Sequence, residues 1–139
     1  MEKTLEYIDK KGNKMLFSSD DICLLKNFSW YLYPSGYFIS KINEVLVPFS
    51  KAVMIRRGIK VPNGFVVDHI NSIKTDNRFE NLQVLTKAEN TIKALREIHG
   101  EVKLRKTKKK ISPHLRRPKN KTYWREKIAF EKIEYYAKR

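Results

Sequence analysis

FVVDHINSIKTDNRFENLQVLTKAENTIKALREI, residues 65–98, decides the fold of this 139-residue chain. Phe65-Val66-Val67 is a short apolar run ending in the polar pair Asp68-His69, and a polar loop occupies 71–78. Asn81-Leu82-Gln83-Val84-Leu85 then alternates with the period of two that a half-buried strand requires. Thr86 precedes Glu89 by three positions, the spacing of a capping box in which each side chain satisfies the other's main-chain N–H. The pattern predicts a helix through about residue 98, with Gly100 placed to stop it. Strand, loop, strand and capped helix make a ββα unit. With the Pro62-Asn63-Gly64 turn that introduces it, the unit spans 62–98.

Upstream, Ser19-Asp20-Asp21 stands before Ile22-Cys23-Leu24-Leu25 and suggests a capped helix of about two turns. Trp30-Tyr31-Leu32-Tyr33 has strand-like aromatic content, Pro34-Ser35-Gly36 is a turn, and Tyr37-Phe38-Ile39 is the returning strand. A second turn at Asn43-Glu44 leads into Val45-Leu46-Val47. Ser50 is the expected N-cap of a helix through Arg57, ended by Gly58. These aromatics are read as the core of a small sheet and not as a base-stacking platform. The fold class is α+β: a ββα core with an N-terminal β-rich support, followed by a basic C-terminal extension. Domain limits are placed at 1–100 and 101–139.

Charge separates the two parts. Thirty Lys and Arg against fifteen Asp and Glu give a net charge of +15. Residues 101–139 carry fifteen of the basic and four of the acidic residues, a net of +11, which leaves +4 for the first hundred. Such an excess opposes compaction, and a polyanion is its simplest partner. No stretch approaches eighteen apolar residues and the first residues lack a signal-peptide core, so no membrane partner and an intracellular protein are expected. Cys23 is the single cysteine. An intramolecular disulfide is excluded, as are Cys-rich zinc sites. Cys23 itself reads as a small apolar residue among Ile22, Leu24 and Leu25.

Asp68, His69, Asn81 and Asn90 are polar side chains set beside apolar anchors, so each needs a hydrogen bond, a metal or both. In a ββα unit the end of the first strand, the start of the second and the first helical turn face one cleft. A carboxylate and an amide oxygen, Asp68 and Asn90, form a sparse oxygen site that suits magnesium or manganese better than zinc. His69 is available as a neutral imidazole base at physiological pH. The Asn81 oxygen is the candidate acceptor that fixes its tautomer. Asp76, Asn77, Arg78 and Glu80 are read first as loop-fixing residues, with Arg78 also a candidate phosphate contact. Asn71 is read as structural, and His99 as a helix-end residue.

Val67-Asp68-His69-Ile70-Asn71, Asp76-Asn77-Arg78, Glu80-Asn81-Leu82, Thr86 and Glu89-Asn90 together resemble the HNH homing endonucleases of phages and mobile introns, a ββα-metal family. The gaps agree as well: twelve residues from His69 to Asn81 and nine more to Asn90. The resemblance covers about residues 62–92, and Tyr33-Pro34-Ser35-Gly36-Tyr37 is similar to the hairpin that precedes the motif in that family. It implies a nuclease that hydrolyses phosphodiester bonds in double-stranded DNA with one Mg2+ or Mn2+ ion per active site. Asp68 and Asn90 would be the metal ligands, His69 the general base, and Asn81 the residue orienting it. It further implies a homing-type enzyme in the cytoplasm of a bacterial or phage-infected cell. One active site cuts one strand, so a monomer would nick, and the lack of a coiled-coil or hydrophobic zipper pattern favours a monomer, with a dimer as the other possibility. Two departures stand out. Ser50-Lys51 replaces a His-Arg pair, leaving Lys51, Arg56 or Arg57 to contact phosphate, and Ser72 replaces a loop glycine. The rival reading is a catalytically silent DNA- or RNA-binding protein that retains the fold.

In the extension, Lys103, Arg105, Lys106, Lys108, Lys109 and Lys110 form a run with almost no apolar periodicity, and Arg116, Arg117, Lys119 and Lys121 continue it. All are expected to contact DNA, together with Trp124 and Arg125. His114 lies within this stretch and carries no assignment. For the last thirty residues two readings stand. Trp124, Ile128 and Phe130 share a face at strand spacing, and Tyr-Trp-Arg-x-x-Ile loosely resembles a three-stranded DNA-binding module. Trp124, Ile128 and Tyr135 equally share a helical face. The sheet is the preferred reading.

Overall fold

β1 (Thr4–Ile8) and β2 (Lys14–Ser18) pair antiparallel at the start of the computed structural model, which describes residues 2–100 and 121–137. The sequence reading leaves this segment unassigned. Its alternation sends Met15 and Phe17 into the core. Asp9 builds the connecting turn by accepting from the main-chain N–H groups of Lys11 and Asn13 and from the Asn13 side chain. A 3-10 turn (Ser19–Asp21) leads into α1 (Ile22–Asn27). The expected side-chain cap is not made. Asp21 is wholly buried and turns instead to Arg56 and Arg57, two charged donors that outweigh one main-chain N–H.

β3 (Tyr31–Leu32), β4 (Phe38–Ile42) and β5 (Val45–Pro48) form an antiparallel sheet in that order, as expected. Asn43 and Glu44, both at positive φ (51° and 65°), make the two-residue connection, whose left-handed geometry matches strand twist. α2 (Phe49–Arg56) begins before Ser50, which is buried within the helix. Pro48 takes the cap position with φ −65°, a residue that ends the strand and loses no N–H by starting a helix.

The ββα unit is present. β6 (Phe65–His69) pairs antiparallel with β8 (Leu82–Thr86), from Phe65 opposite Thr86 to His69 opposite Leu82. α3 (Lys87–His99) opens on the complete Thr86–Glu89 capping box and ends at Gly100, φ 77°. Inside the loop lies an element the sequence reading does not contain. β7 (Asp76–Asn77) runs parallel to β2, pairing Asp76 with Leu16 and Asn77 with Phe17. It ties the ββα loop to the N-terminal hairpin.

The preferred reading of the C-terminus is corrected. Residues 121–137 are one helix, α4 (Lys121–Ala137), packed on α1, α2 and β5. Its buried face is Ala129 and Ile133, both fully inaccessible, while Ile128 and Tyr135 are exposed. The strand reading fails because the residues meeting the core recur at i and i+4, a helical spacing. Although α4 lies beyond the boundary drawn at residue 100, it completes the same core as Phe38, Phe49, Val53 and Leu24. Among the described residues, no helix is long and apolar enough to cross a membrane.

Candidate active site

β6 delivers Asp68 and His69 to the rim between the ββα loop and α3. His69 is 3% exposed, and its Nε2 lies 2.7 Å from Asn77 Oδ1. A carbonyl oxygen only accepts, so Nε2 carries the hydrogen and the neutral ring keeps its lone pair on Nδ1. Nδ1 has no hydrogen-bond partner among the described residues. The Tyr37 ring, 5.9 Å from the imidazole between centroids, flanks it from the β3–β4 hairpin. That hairpin is fastened to the loop by Lys74, which donates to the Ser35 carbonyl at 2.9 Å and lies 4.8 Å over the Tyr37 ring. Gly36 is required there: its φ is 89°, and a Cβ would stand 3.1 Å from Lys74 Cδ.

Asn77 therefore holds the position that the sequence reading gives to Asn81. Asn81 makes no side-chain hydrogen bond to His69. Its Oδ1 accepts from the Asn71 N–H at 3.1 Å, and its Nδ2 donates to Asn71 Oδ1 at 2.9 Å and to the Asp76 carbonyl at 2.8 Å. Asn81 braces the loop and reaches the base only through it. Asn71 adds bonds to Asp76 Oδ2 and, through Oδ1, to the Ile73 N–H. Asp76 in turn is gripped by Arg78 at 2.8 and 2.7 Å. That Arg78 hydrogen bond, helped by Asn71 against the opposing effect of burial, holds the Asp76 carboxyl below the usual carboxylate range. Asn77 stands apart within this network, for its Nδ2 is the buried side-chain polar atom without a partner among the described residues. In the extended segment 76–78, alternation points Asp76 and Arg78 to one side and Asn77 to the other. That was the available signal for Asn77.

Asp68 is largely shielded. Its Oδ2 accepts from Gln83 Nε2 at 2.8 Å and from Lys93 Nζ at 2.7 Å, and Lys93 also donates to the His69 carbonyl at 2.6 Å. Asn90 lies on α3 one turn before Lys93, half-buried, and its side chain makes no hydrogen bond among the described residues. Gln83 and Lys93 carry no role in the sequence reading. Lys93 was recognisable as the residue three after Asn90, hence on the same helical face.

The basic residues divide. Arg56 and Arg57, read as phosphate contacts, are corrected: Arg56 Nε lies 2.6 Å from Asp21 Oδ1, and Arg57 spans Asp21 and Glu2 at 3.1 and 2.5 Å. Leaving a buried carboxylate unpaired costs more than a surface phosphate contact returns, so these guanidiniums are structural. Burial works against the Arg57 charge, but the hydrogen bonds it donates to Glu2 and Asp21 outweigh it and raise its pKa. Arg78 is occupied by Asp76 and Glu80. Lys51 lies 4.7 Å over the Phe130 ring beside a pocket lined by Tyr37, Val66 and Val67, and Arg125 is exposed on α4. Lys103, Arg105, Lys106, Lys108, Lys109, Lys110, Arg116, Arg117 and Lys119 lie outside the described residues, as do the side chains of Lys121 and Trp124.

Residues 54–92, from the end of α2 to the second turn of α3, match the family model described as HNH endonuclease. No curated protein and no solved structure matches the chain.

Proposed function

We propose, from the match of residues 54–92 to the HNH endonuclease family model, that this chain hydrolyses phosphodiester bonds of double-stranded DNA with a divalent metal ion. One observation carries the reading: within the matched segment an imidazole fixed through Nε2 stands next to a carboxylate that already gathers a cation. Asp68 and Asn90 would hold the ion. The donor set fits, since both offer hard oxygen and the Lys93 ammonium is a stand-in cation on Asp68 Oδ2. When bound, a divalent ion supplies positive charge against the phosphoryl and leaving oxygens.

The chain's own groups account for the proton. His69 Nδ1 takes a proton from water as the water oxygen bonds to phosphorus. The bond from phosphorus to the 3′ oxygen breaks, and that oxygen is protonated from solvent. Asn77 keeps the hydrogen on Nε2, so the lone pair is on the nitrogen that needs it. Its oxygen, 2.7 Å away, also favours the imidazolium that results. Tyr37 limits ring reorientation from the side.

The finer terms of the proposal are a homing-type enzyme that acts as a monomer and nicks one strand, because one such site cuts one strand. The region 101–139 is the proposed DNA-binding part, with Lys51 and Arg125 as further contacts. Neutralising six to eight phosphates would give a log–log salt slope of roughly −5 to −7. The test is cleavage of supercoiled plasmid and of diverse genomic DNA with magnesium, manganese or EDTA, using wild type beside His69→Ala. Metal-dependent nicking should be lost in the variant while DNA binding remains. Tight binding without cleavage on every substrate would overturn the reading in favour of a silent DNA-binder. Preference for structured RNA over duplex DNA would overturn the substrate.

A further inference from the structure

The shortest polar contacts around Asp68 come from a side chain to which the proposed reaction assigns no step. Lys93 Nζ sits 2.7 Å from Asp68 Oδ2 and 2.6 Å from the His69 carbonyl oxygen, with side-chain exposures of 24% for Lys93 and 13% for Asp68. The pair is mostly shielded from water, so its attraction is not screened away as it would be on an open surface. Oδ2 carries a second donor, Gln83 Nε2, at 2.8 Å. An ammonium and a divalent ion on the same carboxylate oxygen would repel one another at close range and low effective dielectric. Both cannot stay.

Lys93 also has somewhere to go. Glu97, one turn further along α3, places Oε1 at 4.0 Å from Nζ, the i to i+4 neighbour on the same face. Glu97 is held from the other side by Ser72 Oγ, from the loop that follows His69. A lysine is a compact charge on a flexible four-carbon stem, so it can change partners by rotation with the helix unmoved. Two acceptors, one largely shielded and one exposed, thus lie within reach of one flexible cation.

We propose that Lys93 is a resident counter-ion of Asp68, which a divalent ion must displace to bind through Oδ2. It holds the cation affinity of the free protein low and releases it when an anion, such as a DNA phosphate, draws the ammonium away. This rests on the reading of Asp68 as a metal ligand. The arrangement leaves no uncompensated carboxylate beside the base while metal is absent. By reciprocity, any anion that attracts Lys93 raises divalent affinity by the factor that the ion raises affinity for the anion.

The experiment is Mn2+ binding to the full chain without nucleic acid, read from the loss of the free-ion electron paramagnetic resonance signal. Wild type is compared with Lys93→Met, which keeps the apolar stem, and with Lys93→Gln, which keeps a donor for the His69 carbonyl. Thermal melts confirm that each is folded. Both variants should bind Mn2+ roughly tenfold more tightly than wild type. Adding Asp68→Asn to either should abolish the gain. Equal affinities in wild type and both variants would overturn the counter-ion role and leave the metal site standing. A gain that survives Asp68→Asn would also overturn it, since Lys93 would then act on some other site. No binding by any chain would overturn both this inference and the proposed ligand.

Discussion

Replacing Asn77 by alanine separates catalysis from stability in a way the structure makes quantitative. The substitution removes the acceptor on His69 Nε2, and a buried donor left without a partner costs about 1–3 kcal/mol. It also removes Asn77 Nδ2, a buried donor already without a partner among the described residues, which returns a similar amount. The Asn77 main chain keeps its place beside Phe17 in the pairing of β7 with β2. The two contributions nearly cancel, so the net loss should stay below about 2 kcal/mol, or a fall in Tm under roughly 8 °C for a domain this size. Activity should respond differently. With the Nε2 hydrogen no longer held, the ring samples the wrong tautomer and orientation, and the loss expected of a residue supporting a reacting side chain is about 10–100-fold. Plasmid nicking and thermal unfolding on the same preparation measure both. Unchanged nicking would refute the role of Asn77 in holding the base. A collapse of Tm with a proportionate fall in activity would show that the residue serves the fold alone.

Arg57→Ala should cost about 2–3 kcal/mol, because it strips charged hydrogen bonds from the fully buried Asp21 and from Glu2, while Arg56 still compensates part of the charge. Its DNA-binding salt slope should equal that of wild type; a slope reduced by about one would return Arg57 to the phosphate-contacting set. Asp76 titrates below the ordinary carboxylate range in the folded state, so it contributes stability above the unfolded value near about 3.9 and loses it as pH falls through the lower folded value. Denaturant midpoints should accordingly hold steady from pH 8 to 5 and fall below about pH 4, with Asp76→Asn flattening that fall. Ser72→Gly relieves a non-glycine residue at φ 62° but gives up the hydroxyl bond to Glu97, so stability should move by less than about 1 kcal/mol. A large loss on chemical denaturation would mean that the Glu97 tie governs the loop.

Local signals carried the ββα unit into view. The Thr86–Glu89 box and Gly100 each act over a few residues and read the same in sequence and structure, while β8 forms at Leu82–Thr86, one residue later than its sequence pattern begins. The features that escaped are long-range. β7 is two residues long and exists because β2, sixty residues away, pairs with it, so Asn77 reads as loop until that pairing is known. Asp21 looks like a helix cap because its partners, Arg56 and Arg57, come from a distant helix. In α4 the decisive contacts are Ala129 and Ile133, whereas the eye is drawn to the larger Trp124, Ile128 and Phe130, which suit a strand equally well. The hairpin of β1 and β2 had its alternation in plain form at Met15 and Phe17 and could have been read from sequence.

The docking of α4 into the core changes the topology of the basic run. Residues 101–120 are joined at one end to α3, whose N-terminal half flanks the base, and at the other to a helix fixed among α1 and α2. The run is a closed circuit and not a tail. Twenty residues span at most roughly 70 Å, so its midpoint cannot stray more than roughly 35 Å from its anchors, however it is arranged. Nine positive charges lie in that segment and are tied through both of its ends to the folded residues at a fixed one-to-one ratio. A chain cut at residue 100 would lose more than charge, for Ala129 and Ile133 would leave with it and open the core.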